Sequence, residues 1–256
     1  MVRRRPARLV GAVIGVSLAL ALLACLGSFI DSSVRTMTSR AVVSLPIDWQ
    51  ILFNTGDENT VRTAVHQVDP NAAVETVGYA DVTGLEAKTG ETVQTTGAAV
   101  VLGLSSDYRR TFPTEIVPML GAESGVFAAQ QTAANLHVSI GDSVTIQRAG
   151  NLPPVEVKIS GIINLPDAAT IFQRIPSGAN PQPPPDNVLV LPIEIWRYLF
   201  SDQLAVQPDT VHSQLHVRTS RSNLPATPEA AYTWELQRAH HFELSSAGRG
   251  LLGDNL

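Results

Sequence analysis

The hydrophobic pattern begins with an uncharged run. Residues 9–30 contain no charged side chain, and the eight residues before them include four arginines and no acid. A helix of that length reaches about 33 Å, against roughly 30 Å of bilayer hydrocarbon. The pattern predicts a membrane-spanning helix from Leu9 to Ile30, with residues 1–8 as a basic cytoplasmic tail. The flanking positive charges are Arg3, Arg4, Arg5 and Arg8.

Cys25, the only cysteine of the chain, lies inside this run and leaves three interpretations open. A secretory signal would be cleaved near Ala21, but the new amino terminus would be apolar. Residues 22–25 (LLAC) match a bacterial lipoprotein box, in which Cys25 would carry the lipid. The sequence stays apolar up to Ile30, however, and this length favours a spanning helix in which Cys25 is a small apolar side chain.

Alternating and helical periods follow a polar connector at residues 31–45. Residues 47–53 predict a strand, and Thr55 with Glu58 has the spacing of a capping box before a helix that Pro70 ends. Residues 73–79 and 91–104 predict strands, with Gly84 and Gly90 in turns between them. We assign residues 46–112 to the first part of an α+β lobe.

A β-rich module is predicted at residues 113–174, inserted into that lobe. Residues 125–135 suggest a short helix, after which apolar and polar residues alternate on both sides of Gly141-Asp142. Asp bonds to its own backbone and Gly tolerates unusual φ values, so this pair predicts a turn. A further alternation runs from Val155 to Gly161.

The lobe resumes after a proline-rich stretch. Residues 175–187 hold five prolines and predict an exposed, mobile loop. In the second part of the lobe, residues 188–244, we expect a strand at 188–191, a helix opened by Pro192, a strand at 210–219 and a helix announced by Thr227 and Pro228. Residues 245–256 form a tail. The predicted fold class is α+β, with one amino-terminal transmembrane helix and an extracytoplasmic lobe.

Charge separates the two ends of the chain. Beyond the tail there are 14 basic residues against 23 acidic ones, a net charge of −9. A basic flank before the apolar run and an acidic remainder predict a single-pass protein of the bacterial cytoplasmic membrane, with a cytoplasmic amino terminus. An acidic body is a poor partner for nucleic acid, so we expect none.

Candidate catalytic and metal-binding patterns are weak. A P-loop needs Gly-Lys, but the two lysines, Lys88 and Lys158, follow Ala and Val. His212 and His216 lie on a predicted strand, where residues four apart stand about 13 Å from each other. That distance is too long for one shared ion, so we interpret both as solvent-facing histidines. We therefore expect no catalytic residue, no metal site and no cofactor in this chain.

A family resemblance covers residues 9–244. The segments AANLHVSIGDSVTIQRAG and VEVKISGII resemble the MacB-like periplasmic core domain of FtsX-type permeases, the membrane subunits of certain bacterial ABC transporters. The structural motif residues of that resemblance are Leu136, Gly141, Asp142, Val144 and Gly161. Where the family has a glycine after the helix, this chain has His137, which can cap a helix in a left-handed conformation at a higher cost.

The resemblance implies a function and partners. It implies a permease subunit in the lipid bilayer, driven by a separate ABC ATPase that binds the ATP, with a second permease copy as a further partner. Its core domain would handle, or transmit motion to, a lipid-linked or amphipathic substrate. Family members carry three more membrane helices after this domain, so we expect this chain to be a fragment. The alternative is a membrane-anchored interaction module without transport activity, lipidated at Cys25 or held by the span.

Overall fold

A computed structural model describes residues 6–43, 47–53, 57–90, 92–166, 168–172, 184–220 and 233. The fold is α+β, as predicted: one long helix is followed by a domain built around a mixed β-sheet. Residues 6–43 and residues 47–220 fall in two separate compact units. The predicted capping residue Thr55, residues 175–183 of the proline-rich stretch and, apart from residue 233, the helix announced by Thr227 lie outside the described residues.

The first unit contains helix α1, Pro6–Val43. The helix continues beyond Ile30, so the connector predicted at 31–45 is helical as far as Val43. Its large apolar side chains between positions 14 and 30 are all exposed: Ile14, Val16, Leu18, Leu20, Leu22, Leu23, Leu26, Phe29 and Ile30. Of the helices in the described ranges, none has the length and apolar character that crossing a membrane requires, and the span predicted at Leu9–Ile30 is not supported by this finding.

The second unit alternates strands with short helices. Its strands are β1 Trp49–Phe53, β2 Ala73–Thr89, β3 Thr92–Thr95, β4 Ala99–Leu104, β5 Val117–Gly121, β6 Val126–Ala129, β7 Ser143–Arg148, β8 Val155–Asn164, β9 Val188–Pro192 and β10 Val211–Arg218. Its helices are α2 Glu58–Val68, α3 Tyr108–Thr111, α4 Gln130–Leu136, α5 Ala168–Ile171 and α6 Ile193–Val206.

All ten strands of the described residues belong to one sheet, in the order β1-β10-β2-β4-β9-β6-β8-β5. Strand β3 pairs with β2, and β7 pairs with both β2 and β8. Strands β2, β4, β9, β6, β8 and β7 therefore form a closed circuit of pairings. The strands between residues 113 and 174 join the same sheet as the lobe, and the boundaries predicted for an inserted module stay a prediction.

Alternate residues of the sheet face two different layers, because successive side chains of a strand point to opposite sides. On the first face, Ala80, Val82 and Val101 share an apolar cluster with Trp196 and Phe200 of α6. On the second face, the intervening residues of β2 and β4 cluster with α3 and α5. Helix α2 packs through Val61 and Val65 against Leu215 and Val217, which extends the first face over β1 and β10.

Trp196 shows how tightly the first face is packed. A Cβ atom at Gly78 would stand 2.6 Å from its ring, and one at Gly103 would stand 2.5 Å from its Cγ, closer than real Cβ atoms approach. The two glycines therefore make room for the indole on the sheet. The indole N–H donates to the carbonyl of Val101 at 2.9 Å, so its polar atom is satisfied in the core.

Several predicted elements differ from the structure. The turn predicted at Gly84 is wrong, because β2 runs through it for 17 residues. Gly84 lies at an irregularity in the β2–β7 pairing, and a Cβ there would stand 2.8 Å from the carbonyl oxygen of Thr96. The turn at Gly90 is confirmed, with φ of +64° between β2 and β3.

The helix predicted at 125–135 is only half right. Residues 126–129 are buried strand β6, and the helix begins at Gln130. The alternation predicted from Leu136 to Ile140 is not a strand either: Leu136 ends α4, and Ile140 is 47% exposed in the turn that follows. A short apolar run fits both a strand and a buried helix, because length separates the two and such a run is too short for that distinction.

Candidate functional site

Four of the family-motif residues lie where α4 leads into β7, and Gly161 lies on β8. His137 has φ of 54° and ψ of 38°, the left-handed conformation that the sequence suggested for this cap. The N–H of Val138 donates to the carbonyl of Ala133 at 3.0 Å, a contact typical of helix ends closed by a left-handed residue. A non-glycine residue therefore ends the helix at a position where glycine is usual.

Gly141 and Asp142 form the predicted turn and tie it to β8. Gly141 has φ of +97°, which only glycine adopts without strain. Its N–H donates to the carbonyl of Ile159 at 2.8 Å, and the N–H of Ile159 donates to the carbonyl of Asp142 at 2.8 Å. The Asp142 carboxylate accepts from the N–H of Ser139 at 2.8 Å, which closes the turn from within.

The remaining motif residues pack the sheet around this turn. Leu136 and Val144 are fully buried in the first-face cluster. Gly161 lies between β5 and β6, where a Cβ would stand 2.7 Å from the carbonyl oxygen of Leu120 and 2.9 Å from the Phe127 ring. All five motif residues therefore shape the backbone and core, and none presents a reactive group.

The second face holds a different feature, which we call the polar layer: Gln50, Glu75, Tyr79, Tyr108, His212, Gln214 and His216. Residues 212, 214 and 216 are two apart on β10 and share one face. The strand pairing places Gln50 and Glu75 on either side of His216, and Tyr79 beside His212. Tyr79, Tyr108, Gln214 and His216 are each at most 3% exposed.

His216 joins two tyrosines by hydrogen bonds. The Tyr79 hydroxyl donates to the carbonyl of Ile171 at 2.6 Å, so it accepts from His216 Nε2 at 3.1 Å. His216 Nδ1 then lacks a proton and accepts from the Tyr108 hydroxyl at 2.8 Å. These partners assign the neutral imidazole to the tautomer with hydrogen on Nε2.

Burial favours the uncharged forms of His216, Tyr79 and Tyr108. It lowers the pKa of His216 to about 3, because the imidazolium form would lose its hydration. Burial, together with the negative charge of Glu115, raises the pKa of Tyr79. Burial is also the largest cause of the raised pKa of Tyr108, followed by the charges of Tyr79, Glu115 and Glu75.

Two short helical segments cover the polar layer. Tyr108 and Phe112 reach over it from α3, and Thr111 of the same segment donates to Glu75 at 2.7 Å. At α5, Gln50 Nε2 donates to the carbonyl of Thr170 at 2.7 Å, next to the Ile171 carbonyl that Tyr79 binds. The polar side chains of the sheet thus hold the carboxyl end of α5 through two consecutive carbonyls.

The prediction that His212 and His216 face solvent is wrong. His216 is fully buried, and His212 is half-buried with its ring stacked on Tyr79 at 4.8 Å between centroids. The strand itself is confirmed as β10. Within the described ranges, no three His, Cys, Asp or Glu side chains lie close enough together to hold a metal ion.

Other predicted site residues lie in or beside α1. Cys25 is exposed and carries a free thiol. Arg8 falls in the first turn of α1, whereas Arg3, Arg4 and Arg5 lie outside the described residues.

Sequence reasoning missed Gln50, Tyr79, Tyr108 and Gln214 as members of one layer. A signal was present for α3: Tyr108 and Phe112 are four residues apart, the spacing of neighbours on one helix face. Polar residues alternating with Val211, Leu215 and Val217 indicated a solvent-facing side of β10, and nothing in that pattern marked the distant segments that cover it.

Comparisons with known proteins give a limited answer. No family model matches the chain, and no curated protein matches it. Among solved structures, the chain is similar to the periplasmic region of MacB from Actinobacillus actinomycetemcomitans, at 12% identity and a TM-score of 0.36. That match covers 75% of this chain and 82% of the other. This similarity is low.

Proposed function

We propose that this chain is the extracytoplasmic domain, with its leading helix, of an ABC-transporter permease of the FtsX and MacB type. The observation that carries the proposal is the turn at Gly141-Asp142. Four motif residues, between Leu136 and Val144, form the turn and the start of β7, and the turn is hydrogen-bonded through Ile159 to β8, the strand that carries Gly161. In this proposal the chain is not an enzyme, and a separate ATPase subunit binds and hydrolyses the ATP.

A membrane location is part of the proposal. It is supported by the absence of charge from residues 9–30 and by the exposure of the large apolar side chains between Ile14 and Ile30. Exposed apolar surface of this extent needs a cover of lipid or protein. The acidic remainder of the chain favours an extracytoplasmic position, since the basic residues precede the run.

The substrate in this proposal is lipid-linked or amphipathic, as in the family resemblance. The domain would act on it by contact and motion, because Tyr79, Tyr108 and His216 of the polar layer are buried and His216 is neutral. A second permease copy would complete the transporter.

The test is coupling to an ATPase. The full chain is co-expressed with the ATP-binding subunit encoded beside its gene, and the two are purified in mild detergent. We expect a complex whose ATP hydrolysis rate differs from that of the ATPase alone. A Gly141→Val variant, with its turn disrupted, should reduce that effect, whereas Gly97→Val should not. No neighbouring ATP-binding subunit, or no complex with it, would contradict the proposal.

A second candidate is a lipidated interaction module without transport activity, favoured by the exposed thiol of Cys25. Membrane fractionation of a Cys25→Ser variant separates the two. The permease proposal predicts that the variant stays in the membrane fraction after alkaline carbonate washing. Release into the soluble fraction would support lipidation instead.

A further inference from the structure

Three buried polar atoms of the polar layer have no hydrogen-bond partner in the structure. They are the carboxamide oxygen and nitrogen of Gln214 and the carboxamide oxygen of Gln50. Gln214 has no exposed surface at all. Buried polar groups are nearly always hydrogen-bonded, because a stranded donor or acceptor loses its hydration without replacement. Three such atoms on two paired strands point to a ligand.

The strand register brings the two glutamines together. In the antiparallel pairing of β1 with β10, Gln50 stands opposite His216, and Gln214 stands opposite Leu52. Gln214 is two residues from His216 on the same strand, so both glutamines lie on the second face as diagonal neighbours. Such neighbours are about 7–8 Å apart, within reach of two long side chains and one small molecule between them.

The hydrogen bond of Gln50 fixes the direction of its free oxygen. Its Nε2 donates to the carbonyl of Thr170 at 2.7 Å, which identifies that atom as the amide nitrogen and the other as the acceptor. Gln214 supplies one further acceptor and an amide donor. The three atoms thus comprise two acceptors and one donor, all uncharged. An ion would need a paired charge at this depth, so a neutral ligand fits.

We propose that Gln50 and Gln214 form a binding site for an internal water molecule, enclosed between strands β1 and β10 and helix α5. The water donates one proton to Gln50 Oε1 and the other to Gln214 Oε1, and it accepts from the amide of Gln214. Two to four polar partners are typical of buried waters, and this site provides three. The water connects the edge strand β1 to β10 beside the carbonyls that hold α5.

A crystal structure of the full chain in detergent, at about 2 Å or better, tests the site directly. We expect a well-ordered solvent peak within hydrogen-bond distance of both glutamine side chains. The proposal is overturned if the site contains no peak, or if the Gln214 carboxamide bonds instead to protein atoms.

Thermal unfolding of the full chain gives a second test, in which the direction of the midpoint shift distinguishes a bridging water from an unpaired glutamine. Met is close to Gln in size and shape but apolar. If water bridges the glutamines, Gln214→Met removes its bonds and strands Gln50 Oε1, so the midpoint should fall by about 2–6 °C. If Gln214 is buried without any partner, the same change removes an unpaired group, and the midpoint should rise, which would contradict the proposal. Gln130→Met, at an exposed position, is the matched control and should leave the midpoint unchanged.

Discussion

The two faces of the sheet are built differently. The first face, beneath α6, is mainly apolar: Trp196 rests on two glycines, and its single polar atom bonds to a strand carbonyl. The buried polar side chain that α6 adds there, Gln203, donates to the carbonyl of Asp81 at 2.7 Å. The second face, beneath α3 and α5, carries the polar layer, where His216 links two tyrosine hydroxyls. The same strands supply both, through alternate residues.

The difference follows from what covers each face. Helix α6 has 14 residues and satisfies its own backbone, so it offers the sheet side chains to pack against. Helices α3 and α5 have four residues each and leave carbonyls without helical partners. Polar side chains of the sheet bind two such carbonyls of α5, whereas α3 contacts the polar layer through its own side chains, Tyr108 and Thr111. Polar residues of the second face therefore hold the end of α5, whereas residues of the first face mainly fill the space beneath α6.

The largest expected effect comes from the first face. Trp196→Ala should lower the free energy of unfolding by about 3–5 kcal/mol, because a cavity opens above Gly78 and Gly103. Tyr198→Ala, on the same helix but 82% exposed, is the control and should change it by less than about 0.5 kcal/mol. Chemical denaturation measures both. Equal losses for the two variants would refute the packing described for α6.

Variants on the second face should lose stability because a hydroxyl group is left unpaired, and not because a cavity opens. His216→Leu leaves the Tyr108 hydroxyl without its acceptor, which should cost roughly 1–3 kcal/mol, whereas Tyr79 keeps the Ile171 carbonyl. Adding Tyr108→Phe removes the stranded hydroxyl, so the double variant should be at least as stable as His216→Leu. Denaturation midpoints give the comparison. Strictly additive losses would mean that the two side chains are not coupled.

A turn outside both faces gives a smaller effect. Gly141→Ala should destabilise the protein by about 1–2 kcal/mol through backbone strain alone, because φ is +97° and no atom lies within 4 Å of the new Cβ. Gly97 is equally open but has no positive φ, so Gly97→Ala should have almost no effect. Thermal unfolding of both variants measures the difference, and equal midpoints would argue against strain at Gly141.

The pH dependence of stability should report on the second face, because His216 titrates there. The pKa of His216 is about 3 in the folded protein, below the roughly 6.5 of an unfolded histidine, so the unfolded state binds more protons between these values. This histidine therefore contributes stability above pH 6.5 that is lost as the pH falls, by at most about 1.4 kcal/mol per pH unit. Substituting His216 by Gln should flatten the slope between pH 6.5 and 4, and substituting the exposed His66 is the control. An unchanged slope in His216→Gln would count against a neutral, buried imidazole.

Much of the fold follows from local patterns. Helix α2 and strand β8 were predicted from local patterns, because each of these elements buries one regular side. The alternation also predicted β10, although that strand is buried on both sides over residues 214–217. The cap at His137 and the turn at Gly141 were also predictable, since both depend on the backbone preferences of single residues.

The polar layer could not be predicted in the same way. The alternation in β10 marks an apolar side and a polar side, but it does not say whether the polar side meets water or another segment. That depends on residues 108–112 and 168–171, which lie 45 (216 − 171) to 108 positions before His216 along the chain. Long-range contacts of four-residue helices leave no periodic signal.

The most direct test of the account is the protonation state of His216. Nitrogen-15 NMR of histidine-labelled full chain, with His216 assigned by comparison with His216→Gln, reports the tautomer and its charge. We expect a neutral ring with hydrogen on Nε2 that stays unchanged from pH 8 to pH 5. Protonation of both ring nitrogens within that range, or hydrogen on Nδ1, would contradict the hydrogen bonds that define the second face.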